Sequence, residues 1–196
     1  MPENCEIPDA ALLLALLMSP GVGVVTVNRV AAALREAKIP LSAVVGNTTS
    51  VLRKGLPGGL DWAADPLSRC SESIIDRAVF LHERVLKTGG QWLVLGTSSY
   101  PSSIADTLQY DAPPLVSVYG DAELFLRENI VIVGSREPSE RGELIAETLG
   151  AWAASEGHLV LSGGANGIDT TAHETTLRHG GNTCIVLPQG ALTYRG

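Results

Sequence analysis

Two glycine-rich segments in the second half of the chain carry residue types suited to holding an anion. The run Ile130-Val131-Ile132-Val133 leads straight into Gly134-Ser135-Arg136, and a helix-forming stretch begins at Ser139. A strand that ends in such a turn and feeds a helix brings backbone N–H groups and the positive helix end to one point. Arg136 stands where the G-x-G-x-x-G dinucleotide fingerprint has its second glycine. There it would crowd a pyrophosphate, yet it could clamp a phosphate bidentately, which argues against an NAD-type dehydrogenase. The second segment, Ser162-Gly163-Gly164-Ala165-Asn166-Gly167-Ile168-Asp169, repeats the layout after another apolar run. In a parallel sheet both turns lie at the carboxyl edge, where such folds place ligands, so together they predict one pocket. Its candidate phosphate-binding residues are Gly134, Ser135, Arg136 and Ser139 on the first turn and Ser162, Gly163, Gly164, Asn166 and Gly167 on the second. The structural alternative is that these glycines only permit tight packing of strand on helix.

Asp169 and His173 are four residues apart and share one face of a helix, a spacing used by metal sites and by acid–base pairs. Two ligands do not make a metal site. Asp169 reads as the cap near the helix start and His173 as its hydrogen-bonding neighbour, with metal binding or catalysis as the alternative. No catalytic triad, carboxylate pair or nucleophilic cysteine stands out, and Cys5, Cys70 and Cys184 suggest neither a disulfide framework nor zinc.

These turns need a scaffold, and the spacing supplies one. From Gly90 on, short apolar runs at Trp92–Leu95, Leu115–Tyr119, Ile130–Val133, Leu159–Leu161 and Cys184–Leu187 predict strands. Helices over Ser139–Glu156 and Ile168–His179 separate the last three, the alternation of a parallel sheet with crossovers. The fold class is therefore α/β, Rossmann-like, with a mostly parallel sheet. A small all-α part precedes it. Asp9–Met18, capped by Asp9, and Val22–Lys38 read as helices flanking Ser19-Pro20-Gly21-Val22-Gly23. A Gly-hydrophobic-Gly turn between two helices is either a helix-hairpin-helix that meets phosphate or an αα corner without a ligand. Short helical pieces fill 40–65, and a longer helix over Pro66–Leu86 takes its apolar side from Ile74, Ile75, Ala78, Phe80, Leu81 and Val85. Thr88-Gly89-Gly90 stops it and sets the expected boundary: residues 1–88 as a helical, helix-hairpin-helix-like (SAM-like) domain and 89–196 as the Rossmann-like domain, C-terminally incomplete.

Hydrophobic residues are 45% of the 196 positions, the composition of a globular protein. The apolar run Ala10–Met18 is about half the roughly 20 residues a membrane helix needs, and no basic stretch precedes it, so a cytoplasmic location is expected. Net charge is −7, and it lies in the second half: residues 1–88 hold nine Lys/Arg and nine Asp/Glu, residues 89–196 hold five and twelve. A nucleic-acid site there must be a small, locally positive pocket and not a broad basic face.

The motifs resemble the DNA-processing protein family known as DprA or Smf. Tyr100-Pro101, Pro113-Pro114-Leu115-Val116 and Tyr119-Gly120-Asp121 resemble its "YP…PP-hydrophobic…GD" lead-in, and Ile132-Val133-Gly134-Ser135-Arg136 its G-S-R loop, with Gly142 in the helix that follows. Ser162-Gly163, Gly167-Ile168-Asp169 and Ala172-His173 resemble "SG-x-A-x-GID-x-x-AH", and Gly180-Gly181-Asn182-Thr183 resembles "GG-x-T". The resemblance implies a single-stranded DNA-binding recombination mediator of natural transformation that dimerises and helps load a RecA-type recombinase. It implies no catalysis and no cofactor, and it makes Arg136 the main side chain on the DNA backbone. Asn166 stands where the family usually has Arg, and the family continues beyond Tyr194-Arg195-Gly196. The same loops also resemble nucleotide sensors and phosphoribohydrolases of the wider Rossmann-like group. The hydrolase P-G-G-x-G-T-x-x-E segment is absent, its nearest counterpart being Pro188-Gln189-Gly190-Ala191-Leu192-Thr193.

Overall fold

The computed structural model of the chain describes residues 7–188 and Leu192; Cys5 and, within Pro188–Thr193, all but Pro188 and Leu192 lie outside the described residues. The chain divides into two compact units, Met1–Val118 and Tyr119–Gly196.

The first unit is organised around α1 (Asp9–Met18), whose Ala10 to Leu13, Ala15 and Leu16 are all buried. A helix apolar on nearly every side has to be surrounded. The surrounding elements are α2 (Val24–Glu36), α3 (Thr49–Gly55), α4 (Ala64–Ser68) and α5 (Glu72–Lys87), of which α2 and α5 pack directly on α1. Asp9 is the first helical residue and Pro8 occupies the cap position without a side-chain bond, so Asp9 contributes only as a charge in the first turn. On α2 the buried residues Val27, Val30 and Leu34 follow helical spacing, with Asn28 among them.

The helix expected over Pro66–Leu86 is two helices. Between α4 and α5 the chain turns inward to bury Cys70, and Ser71 is extended (ψ 160°). The buried stripe of α5 is Ala78, His82 and Val85, whereas Phe80 points outward at 58% exposure with the Arg84 guanidinium 5.7 Å over its ring. Thus a histidine and not Phe80 packs inward.

Two strands, β1 (Gly90–Val94) and β2 (Leu115–Tyr119), pair in a sheet of their own, with α6 (Ser102–Leu108) between them in sequence. Trp92, Val94 and Leu115 pack against the helical core. This is why the first unit runs to Val118, past the glycine pair at which the sequence pattern changes.

The second unit is a β-α-β-α-β array: β3 (Asn129–Val131), α7 (Glu140–Glu156), β4 (Leu159–Ser162), α8 (Ile168–Arg178) and β5 (Asn182–Ile185). The strands lie side by side in the order β3-β4-β5, each neighbouring pair parallel, with Ile130 opposite Val160 and Val160 opposite Thr183. The Ile132 N–H still donates to the Leu161 carbonyl at 3.0 Å, carrying the pairing to the foot of the glycine turn. Ile132, Ala146, Ala153, Val160, Ile168 and Ala172 form the core. Small residues let α7 and α8 approach closely: a side chain on Gly150 would meet the Thr176 hydroxyl at 3.1 Å and the Ala172 carbonyl at 3.2 Å. Gly157 closes α7 in the left-handed conformation (φ 75°).

Candidate phosphate-binding cleft

Both glycine turns stand at the carboxyl edge of the three-stranded sheet, as parallel strands require, and they touch. The Ile168 N–H donates to the Ser135 carbonyl at 3.1 Å. Gly167 has φ 85°, and a Cβ there would overlap Ser135 O and stand 2.7 Å from Arg136 O. A Cβ on Gly134 would come within 2.7 Å of the Ile168 side chain, and one on Gly163 within 2.6 Å of Asp169 Oδ2. Three of the expected phosphate-binding glycines therefore have a packing reason to be glycine. Gly134 and Gly167 let the two loops approach each other, and Gly163 lets Asp169 fold back within the second.

The serines divide by role. Ser139 precedes α7 and its Oγ accepts from the Gly142 N–H at 3.3 Å, a helix cap. The Ser135 hydroxyl donates to the Glu137 carbonyl at 3.0 Å and accepts from the Glu137 N–H at 3.1 Å, folding the first loop on itself. Ser162 is buried and its hydroxyl donates to the Ile132 carbonyl at 2.5 Å, tying the ends of β3 and β4 together. These hydroxyls are engaged within the protein.

What the loops leave open is a cleft of about 770 Å³, walled by Arg136 and Glu137 from the first loop, by Gly163, Gly164, Asn166 and Asp169 from the second, and by the chain leaving β5 at Val186 to Pro188. Arg136 is exposed and, among the described residues, makes no ion pair. Asn166 is exposed as well. Cleft chemistry is thus one free guanidinium, a backbone-lined floor and two carboxylates. The β5 exit and Glu137 were not among the expected site residues, although any third parallel strand must end at the same edge.

Asp169 and His173 are not partners. Asp169 is buried, with Oδ2 accepting from the Ala165 N–H at 3.3 Å, so it braces the second loop while Gly167 holds the cap position. His173 lies beneath it. Its Nε2 donates to the Gly163 carbonyl at 2.8 Å, and its Nδ1 is in hydrogen-bond contact with Thr183 Oγ1, whose proton goes to the Val160 carbonyl at 3.0 Å. The imidazole therefore fastens the glycine loop to β4 and β5. Among the described residues no group of three or more His, Cys, Asp or Glu could hold a metal ion, and no helix is long and apolar enough to cross a membrane.

The helical glycine turn differs. Gly21 has φ 69°, and Arg69 lies so close that a Cβ would stand 2.6 Å from its Nη1. Arg69 donates to the Pro20 carbonyl at 3.2 Å and to Asp65 at 2.7 Å. The close approach that Gly21 permits is filled by the protein's own guanidinium. In the lead-in segment, Tyr100 is buried and donates to the Pro113 carbonyl at 2.8 Å, while Asp121 accepts from the Glu123 N–H at 2.9 Å, so both ends of that motif brace turns.

The DNA processing protein DprA of Streptococcus pneumoniae is 35% identical over 91 residues, 46% of this chain and 31% of that protein. A putative DNA processing protein DprA of Mycobacterium tuberculosis is 33% identical over 127 residues, 59% of this chain and 33% of its own length. The chain spans about a third of these curated relatives. An X-ray structure of DprA from Streptococcus pneumoniae superposes with a TM-score of 0.60 over 90% of this chain and 57% of that one at 21% identity, which shows the shared fold. The model of the family described as DNA recombination-mediator protein A matches residues 91–194, from β1 through all of β3–β5 and both glycine turns, and the chain belongs to that family.

Proposed function

We propose that the cleft holds the sugar-phosphate backbone of single-stranded DNA and that the chain serves DNA processing and recombination as a binding protein without catalytic activity, presenting strands to a RecA-type recombinase as a homodimer. The observation that carries this reading is Arg136, exposed and without an ion pair among the described residues, on the wall of a cleft whose two loops are fixed to each other. A guanidinium suits a phosphodiester, and it acts locally, which matters in a unit whose charge is otherwise acidic. Titration with oligo-dT tests it. The expected result is binding that weakens steeply with salt and exceeds binding to duplex of the same length. Absence of binding at low salt removes the proposal.

A second reading has one observation in its favour. Asp169 and Glu137 add carboxylate acceptors to the cleft, as a site for the hydroxyls or amino groups of a free nucleotide would. The same titration separates the two: a nucleoside monophosphate that saturates the cleft and excludes oligo-dT at equal phosphate concentration would favour a nucleotide sensor.

A further inference from the structure

Helix α7 has one apolar face inside the second unit and another outside it. Ala146, Gly150 and Ala153 are buried against α8 and the sheet. Beside them runs a stripe that stays exposed: Ile145 at 51%, Trp152 at 46% and Leu149 at 36%. At 3.6 residues per turn these three, with Arg141 and Glu156 at the two ends of the stripe, fall within an arc of about 80°. Arg141 and Glu156 are both exposed and make no ion pair among the described residues. The helix's other carboxylates near its start, Glu140, Glu143 and Glu147, fall on the opposite side and leave the stripe clear.

Both end charges have the wrong sign for the helix that carries them. An α-helix favours anions in its first turn and cations in its last. Glu140 and Glu143 obey this rule, whereas Arg141 sits in the first turn and Glu156 is the final helical residue. Within one chain the two lie about 22 Å apart along the axis and cannot meet. Their spacing is nevertheless palindromic: Arg141 and Glu156 stand equally far from a point between Thr148 and Leu149, and so do Ile145 and Trp152. Two copies of α7 laid antiparallel about a two-fold axis at that point set each Arg141 opposite a Glu156 and each Ile145 opposite a Trp152, with the two Leu149 side chains adjoining at the axis. A self-complementary patch is what a two-fold interface requires. Trp152 is also held in place, its ring edge-on to His158 with centroids 5.3 Å apart, so burying it costs little freedom.

We propose that α7 is an interface between two copies of this chain, packed antiparallel about a two-fold axis between Thr148 and Leu149. This names the surface of the homodimer in the reading above and rests on that part of it, while DNA plays no role in it. One 17-residue helix, about 25 Å long, covers less than the roughly 800 Å² per partner of a standard interface, so the expected Kd is on the order of 10–100 µM.

The test is sedimentation equilibrium of the full chain without DNA, from about 1 to about 500 µM so that the expected Kd is bracketed. The unaltered chain should dimerise reversibly. Arg141→Glu and Glu156→Arg should each raise Kd about tenfold or more, because each sets like charges against each other at both ends. Both changes in one chain should restore Kd to within about threefold, and an equimolar mixture of the two single variants should associate more tightly than either alone. Each reversal gives its helix end the charge that end favours, so a weaker dimer does not report a weaker fold. Trp152→Ala, at an exposed position, should leave only monomer. A chain monomeric throughout, a Kd that either reversal leaves unchanged, a double variant no better than the singles, or a Trp152→Ala chain that still dimerises overturns the proposal. Oligo-dT titration of Trp152→Ala keeps the two readings apart: a monomer that binds DNA upholds the Arg136 cleft whatever becomes of this interface, and a dimer that ignores DNA upholds the interface alone.

Discussion

Gly21-Val22-Gly23 in the helical unit and Gly134-Ser135-Arg136 in the Rossmann-like unit look alike on paper, each placing a glycine turn at the start of a helix. In both, the structure fills the space over a glycine with protein: Arg69 over Gly21, Ile168 over Gly134. They part in what remains outside. Over the helical turn the nearest guanidinium is already bonded to Pro20 O and to Asp65. Beside the sheet turn Arg136 is exposed, and the neighbouring loop encloses a cleft with it. A glycine turn therefore indicates close approach of some group, and the cation beside it indicates whether a ligand is still wanted. On this ground the space over Gly21 is filled from within the protein, whereas no atom stands within 4 Å of a Cβ on Gly23.

The largest effects should come from closing the two turns. In Gly167→Ala the new Cβ meets backbone carbonyls that cannot swing away, at φ 85°. A loss of about 2–4 kcal/mol is expected, together with loss of oligo-dT binding, read by denaturant unfolding followed at Trp152. In Gly21→Ala the obstacle is the far end of a flexible side chain, so only the left-handed backbone cost of about 1–2 kcal/mol remains. Equal costs at the two positions would erase the distinction between them.

A smaller contrast concerns the guanidinium groups themselves. Arg136→Ala should weaken oligo-dT about tenfold and reduce the dependence of log K on log salt by about 0.7, with unfolding unchanged. Arg69→Ala removes an exposed pair with Asp65, whose side chains are 43% and 61% accessible, and should cost at most about 1 kcal/mol and leave oligo-dT affinity alone. Should Arg69→Ala weaken DNA as much as Arg136→Ala, the helical turn is a phosphate site after all.

Gentlest of the expected effects is one of pH. Burial lowers the pKa of His82 from its ordinary 6.5, outweighing the nearby Glu83 carboxylate. The ring stacks on Trp92 with centroids 6.1 Å apart, and the His82 Nδ1 has no hydrogen-bond partner among the described residues. The unfolded chain takes up this proton first. Stability from the neutral ring is therefore complete above the ordinary histidine pKa and declines as pH falls from about 6.5 toward the lowered folded-state value. Trp92 fluorescence should report acid destabilisation between pH 7.5 and 5 that is reduced in His82→Gln. An unchanged pH dependence in that variant would remove His82 as its cause.

The strands and the two crossover helices were legible because apolar runs give way to glycine or serine, as at Val133-Gly134 and Leu161-Ser162. The shared edge of the two turns followed from parallel topology alone. What was not legible depends on distant partners. Ser162 looks like a phosphate ligand until the Ile132 carbonyl, thirty residues earlier, proves to be its acceptor. His173 reads as the partner of Asp169 by helical spacing, but its bonds go to Gly163 and Thr183, which the sheet brings beside it. Likewise, the packing of β1 and β2 on the helical core rests on Trp92, Val94 and Leu115, and apolar strands do not announce which core they join.

The bond from the Ile168 amide to Ser135 O has a further effect on how the cleft works in time. Loops tied backbone to backbone lose little conformational freedom when an occupant arrives, so the entropy that usually opposes ordering a flexible grip is absorbed during folding. On the proposed reading, a strand enters and leaves such a mould without either loop having to close or unfold.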